Sequence, residues 1–189
     1  MKIYVTGLGV VSGIGLGVAE NIASLRKHQH GMRKVTLFPT ELDVPVSEVK
    51  YSNEELKRLL SLDIQKTFSR TALLGMLAAR EAVDDARLDL NTLRVGLISS
   101  TSVGGMDLSE HFYNAFKKDN RKRRLREVIS HDCGASTEMI ADYLKVNDFV
   151  TTISTACSSA ANAIMLGARM IRNDQLDAAI VGGTDALCK

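Results

Sequence analysis

Hydrophobic positions along the chain follow two periods. Four short β-rich runs read as strands: "IYVT" (3–6), "RVGLISST" (94–101), "FVTTIST" (149–155) and "AAIVGGTDA" (178–186). The first is expected to be buried and to end at Gly7 and Gly9. A helical period runs from Val18 to about Lys27, and over 53–86 in two segments. The second segment, "FSRTALLGMLAAREAVDDA", is strongly apolar on one face. Further helices are predicted over 107–117, from Ser136 to Leu144, and over 157–172. Residues 28–53 hold both prolines, Pro39 and Pro45, and read as loop with short strands. Strands separated by helices predict an α/β fold with a largely parallel sheet.

At 189 residues the chain suits one domain with a real core. Its formal net charge of +2 calls for neither nucleic acid nor a membrane. Three cysteines, an odd number, in a sequence without secretory features favour free thiols and a reducing compartment. The opening "MKIYVTGLGVVSGIGLG" has one lysine before an apolar stretch, but glycine recurs through it and no clean cleavage site follows. No apolar run approaches the ~18 residues of a membrane span. These features read as a cytoplasmic, soluble protein.

Chemistry concentrates at Cys157, where the β-branched run gives way to "CSSAANAIMLGARMIRN". A helix N-terminus exposes unpaired N–H groups and partial positive charge, a setting that suits an anionic sulfur. The same N–H groups can hold the oxyanion of a thioester under attack. Ala160, Ala161, Ala163, Gly167 and Ala168 allow neighbouring elements close, while Ile164, Leu166 and Ile171 are expected to supply packing. A buried structural cysteine is the competing account of Cys157. Cys133 and Cys188 lack this setting and read as structural.

"TACSSA" after a strand, "VTGLGVVSGIG" at the start and "VGGTDA" downstream resemble a β-ketoacyl-[acyl-carrier-protein] synthase. The resemblance is to the elongating type of the thiolase superfamily. "FSRTALLGMLAAREAV" and "VGLISSTSVGG" fall in the expected order, so it covers essentially the whole chain. It implies the N-terminal half of a thiolase-like αβαβα layered fold with a mixed, largely parallel sheet. Cys157 would accept an acyl group from acyl carrier protein, and its own N–H would be one oxyanion donor. Val103 matches a position lining the acyl pocket. Lys66 and Arg70 precede or open an amphipathic helix and are candidate carrier-protein contacts. No metal or nucleotide cofactor is implied, and the phosphopantetheine arm belongs to the carrier.

The family's second half carries two histidines that promote malonyl decarboxylation, a supporting lysine and a second oxyanion donor. None of His28, His30, His111 and His131 lies in a matching context. Residues 1–189 are therefore read as one incomplete domain lacking the C-terminal half. It is expected to support at best a weak acyl transfer, and to self-associate or require a complementing chain. The alternative is a non-catalytic interaction subunit that pairs with a ketosynthase, although such subunits generally lack the cysteine that this chain keeps.

Weaker signals have plain accounts. "KKDNRKRRLR" (117–126) suits an acidic carrier protein or a solvated surface loop; without interleaved aromatics it does not suit nucleic acid. "GLGVVSGIG" fails the dinucleotide fingerprint, because Ser12 stands at the third glycine. His28-x-His30 and His131-x-Cys133 lack partners at zinc-site spacing and read as surface or turn residues. Asp185 reads as structural, satisfying backbone groups near the nucleophile turn.

Overall fold

A computed structural model describes residues 1–119, 121 and 126–188. Its centre is a three-stranded parallel sheet in the order β6-β5-β7, formed by Val95–Ser100 (β5), Phe149–Ile153 (β6) and Ala178–Val181 (β7). Gly96 pairs with Phe149 on one side and with Ala179 on the other, which fixes the register.

The period of two sorts side chains between the faces. Val95, Leu97, Val150, Ala178 and Ile180 join a core with helices α2 (Asn53–Leu59), α3 (Arg70–Ala86) and α6 (Cys133–Leu144). Ile98, Phe149, Ile153, Ala179 and Val181 face helix α7 (Ser159–Arg172). Helices thus cover both faces of the sheet, as the α/β pattern predicts. Helix α1 (Val18–Arg26) packs beside the small hairpin of β1 (Val11–Ser12) and β2 (Gly15–Leu16). A second small hairpin joins β3 (Met32–Arg33) to β4 (Val46–Ser47) in the 28–53 loop. Helices α4 (Met106–Lys118) and α5 (Arg126–Ile129) pack against each other.

Local chemistry sets the helix ends. Ser52 and Glu55 form a reciprocal capping box on α2. The Ser69 hydroxyl accepts from the Ala72 N–H on α3, and the Asp132 carboxylate from the Gly134 N–H on α6. Helix α6 consequently starts before Ser136. Ser136 and Thr137 lie buried inside it, hydrogen-bonded to Ser69 and Thr152. At the other end of the sheet Arg94 bridges Asp174 and Asp177, both at 2.8 Å. The guanidinium hydrogen bond holds the Asp177 carboxyl down at about 2.

Residues 3–6 depart from the expectation of a buried strand. They pair with no strand among the described residues, and Tyr4 and Val5 are 73% and 80% exposed. The segment following them lies across α3. Its N–H groups at Leu8 and Val10 donate to Asp85 and Glu81, and Gly7 and Gly9 touch the α3 backbone. Carboxylates on a helix thus replace a neighbouring strand, and they leave these side chains in solvent. The 178–186 run is also shorter as a strand, because Gly182–Asp185 turns aside to bond β5, α3 and the turn after β5.

Candidate active site

Parallel strands bring their carboxyl ends to one edge of the sheet, the edge where α/β proteins place their sites. Three loops meet there: Ser154–Ser158 after β6, Thr101–Gly105 after β5, and Gly182–Asp185 after β7. The Thr101 N–H donates to Ile153 O across the first two, and the Thr184 N–H to Ser100 O across the last two.

Cys157 stands exposed in a single 3-10 turn, Ala156–Ser158, and α7 proper starts at Ser159. The cysteine is therefore just outside the helix, where the sequence placed it at the first residue. Ala156 adopts a left-handed φ of 51°, which a residue bearing Cβ visits at a cost of about 1–2 kcal/mol. Side chains of the same turn hold it there. The Thr155 N–H donates to Ser159 Oγ (2.7 Å), and Ser159 Oγ donates to Ala156 O (2.7 Å). Ser158 Oγ donates to Thr155 O (2.8 Å), and Asn162 Nδ2 to Thr155 Oγ1 (2.9 Å). Every hydroxyl of "STACSSAAN" after Ser154 is thus used to fasten the turn from which the thiol projects.

Helix α7 lies close to the sheet because of its small residues. A Cβ on Gly167 would stand 2.6 Å from Val181 Cγ1 and 3.2 Å from Ala179 Cβ. Ala163 is fully buried. The opposite face is open to solvent, however: Ala160, Ala161, Ile164 and Met165 are exposed. Ile164 is 54% exposed and does not supply the packing expected of it. Gly183 brings the third loop against the same helix, 3.3 Å from Ala160 Cβ and 2.5 Å from Ser100 Oγ as measured from its ideal Cβ.

The structure places Val103 in the second loop at this edge. Asp185 reaches that loop and not the nucleophile turn. It accepts from Thr101 Oγ1 (2.6 Å), the Ser102 N–H (2.9 Å) and Ser102 Oγ (2.8 Å). The sequence assigns Asp185 a structural part near the nucleophile turn, whereas the structure gives its bonds to the turn after β5. Burial pushes its carboxyl up, and the hydrogen bonds from Thr101 and Ser102 outweigh that and hold it below the usual range.

Lys66 is exposed. Arg70 is turned inward: its guanidinium donates to Val49 O (2.6 Å), Tyr51 O (2.9 Å) and Asn53 Oδ1 (2.9 Å). Burial lowers its pKa from the ordinary arginine value. Its charge serves the loop before α2 and is not free for a partner. His111 pairs with Glu127 and His131 with Ser109, both around α4 and α5. Of "KKDNRKRRLR", residues 120 and 122–125 lie outside the described residues. Cys133, Cys157 and Cys188 are all free, and no cluster of three metal-ligating side chains occurs among the described residues. No described helix is long and apolar enough to cross a membrane.

Residues 1–189 match the family described as beta-ketoacyl synthase, N-terminal domain. The chain belongs to that family. Among its relatives, the 3-oxoacyl-[acyl-carrier-protein] synthase 2 of Coxiella burnetii is 28% identical over 97% of this domain and 45% of its own length. The enzyme of the same name from Staphylococcus aureus (strain MRSA252) is 26% identical over 98% of this domain and 46% of its own. The domain therefore spans less than half of each relative's length. Among solved structures, the ishigamide ketosynthase/chain length factor superposes with a TM-score of 0.87 at 30% identity, covering 98% of this domain and 47% of that chain. The ketosynthase ApeO in complex with its chain length factor ApeC from Xenorhabdus doucetiae gives 0.74 at 24%, over 97% and 47%. The fold is thus that of the thiolase-like ketosynthases, as the resemblance implied.

Proposed function

We propose that Cys157 is the thiol through which this domain takes an acyl group from acyl carrier protein. The observation that carries the reading is the presentation of an exposed cysteine on a strained, internally bonded turn at the carboxyl edge of the sheet. The sulfur, as thiolate, attacks the thioester carbonyl carbon. The tetrahedral oxyanion collapses, the bond to the carrier's sulfur breaks, and the expelled thiolate takes up a proton. Backbone N–H groups at the start of α7 supply the electrostatic support that such an oxyanion needs. Val103 forms part of the wall beside the acyl chain. Decarboxylative condensation with malonyl-carrier substrate belongs to a complete enzyme with a C-terminal half, and residues 1–189 form one domain of it.

The names of the relatives, synthases acting on an acyl-carrier protein, support the donor class. Lys66 is the candidate contact for an acidic carrier, since Arg70 is committed inside the domain. A second chain completing the site is supported by the pairing of a ketosynthase with a chain length factor in the neighbour at 30% identity. Three free cysteines fit a cytoplasmic setting.

Intact mass after incubation with an acyl-carrier protein thioester tests the reading, with Cys157→Ala as control. One acyl adduct is expected, absent in the variant. A folded domain that gains no mass would favour the non-catalytic interaction subunit instead.

A further inference from the structure

We propose that Asp185 is a positioning residue that latches the Val103 turn and so sets which acyl chain lengths are accepted beside Cys157. The inference rests on the acyl-transfer reading above and adds a residue whose role there is indirect.

The latch is a continuous chain of hydrogen bonds. Thr101 Oγ1 gives its proton to Asp185 (2.6 Å) and accepts from the N–H groups of Val103 (3.3 Å) and Gly104 (3.0 Å). One hydroxyl thus uses its donor and both lone pairs to connect the carboxylate to the backbone of the turn. The Ser102 N–H and hydroxyl add two more donors to the same carboxylate. Asp185 is itself anchored from the other side. The neighbouring Thr184 donates its N–H to Ser100 O and its hydroxyl to Thr71 O, both at 2.9 Å. Gly183 is wedged between Ser100 and Ala160, the latter three residues beyond Cys157. The loop after β7 is therefore fixed to β5 and α3 and lies against α7, while the turn carrying Val103 hangs from Asp185. That turn has little slack elsewhere, since Gly104 takes a left-handed φ of 53° with its Cβ position 2.9 Å from His131 O. Asp185 remains accessible to solvent, which keeps the expected effects moderate.

The test loads the purified domain with butyryl- and dodecanoyl-pantetheine thioesters and follows intact mass. Alkylation by iodoacetamide, read on the Cys157 peptide because Cys133 and Cys188 are also free, reports access to that thiol alone. In Asp185→Ala the ratio of dodecanoyl to butyryl loading should rise about three- to tenfold, with alkylation unchanged, because a charge-assisted bond network has been lost from one wall. Ser102→Ala, which removes one hydroxyl and keeps the backbone donor, should shift the ratio the same way by less. Amide exchange should accelerate in peptides covering 101–105 and not across α7. An unchanged ratio, or a parallel fall in both loadings and in alkylation, overturns the proposal. Should the wild type load neither thioester yet be alkylated normally, the acyl-transfer reading fails. The chain-length role then fails with it, while faster exchange over 101–105 still upholds the latch on the turn itself and unchanged exchange refutes that as well.

Discussion

Ala156 sits at φ 51° with Cys157 next to it, and side-chain hydrogen bonds of Ser158, Ser159 and Asn162 hold the turn around the pair. The left-handed conformation costs about 1–2 kcal/mol for a residue with a Cβ, whereas glycine adds about 0.5–1 kcal/mol of chain entropy to folding. Ala156→Gly should therefore stabilise the domain by up to about 1 kcal/mol, raising the melting temperature by roughly 2–4 °C for a chain of this size. A fall in melting temperature would show that the turn is unstrained. The place of Cys157 between a strand and a helix was legible, because the change of period marks it. The conformation of Ala156 was not, since alanine carries no signal for positive φ. Nor did the row of serines reveal its partners, which are settled by the turn they enclose.

The sheet and its helices follow from periodicity, which reads burial directly where one chain segment supplies both sides of a contact. Helix α7 shows this well: Ser159, Ala163, Gly167 and Met170 recur at helical spacing and are its buried residues. Residues 3–6 show the converse, since their β-rich composition says nothing about whether a pairing strand is at hand. For α7, an added methyl at Gly167 meets Val181 Cγ1 at 2.6 Å. Overpacking of this kind costs about 1–3 kcal/mol, and the helix-propensity gain of alanine returns only about 1 kcal/mol. Gly167→Ala should be destabilising by up to about 2 kcal/mol in denaturant unfolding. Combined with Val181→Ala, which makes room for the methyl, the loss should be smaller than the sum of the two single variants by at least about 1 kcal/mol. Strict additivity would mean that the close approach does not hold α7 in place.

The whole molecule exposes 11912 Å², whereas a compact monomer of 20.6 kDa is expected to expose about 8,900 Å². The surplus of roughly 3,000 Å² exceeds what a standard protein interface buries in total. Part of it is apolar and lies at the site edge: Ile164 and Met165 on the outer face of α7, with Ala160 and Ala161 beside Cys157. Ile164 and Met165 are 54% and 44% exposed, so covering what remains is favourable by about 1 kcal/mol for each. Isolated domains should therefore associate, and light scattering over rising concentration should give a mass above the 20.6 kDa monomer. Ile164→Glu puts a charge on the exposed face without entering the core, so it should return the population toward monomer while leaving the melting temperature of the dilute monomer nearly unchanged. A wild-type domain that stays monomeric throughout would mean that solvent tolerates this face. A variant that associates as strongly as the wild type would move the contact away from α7, toward the exposed side chains of residues 1–10.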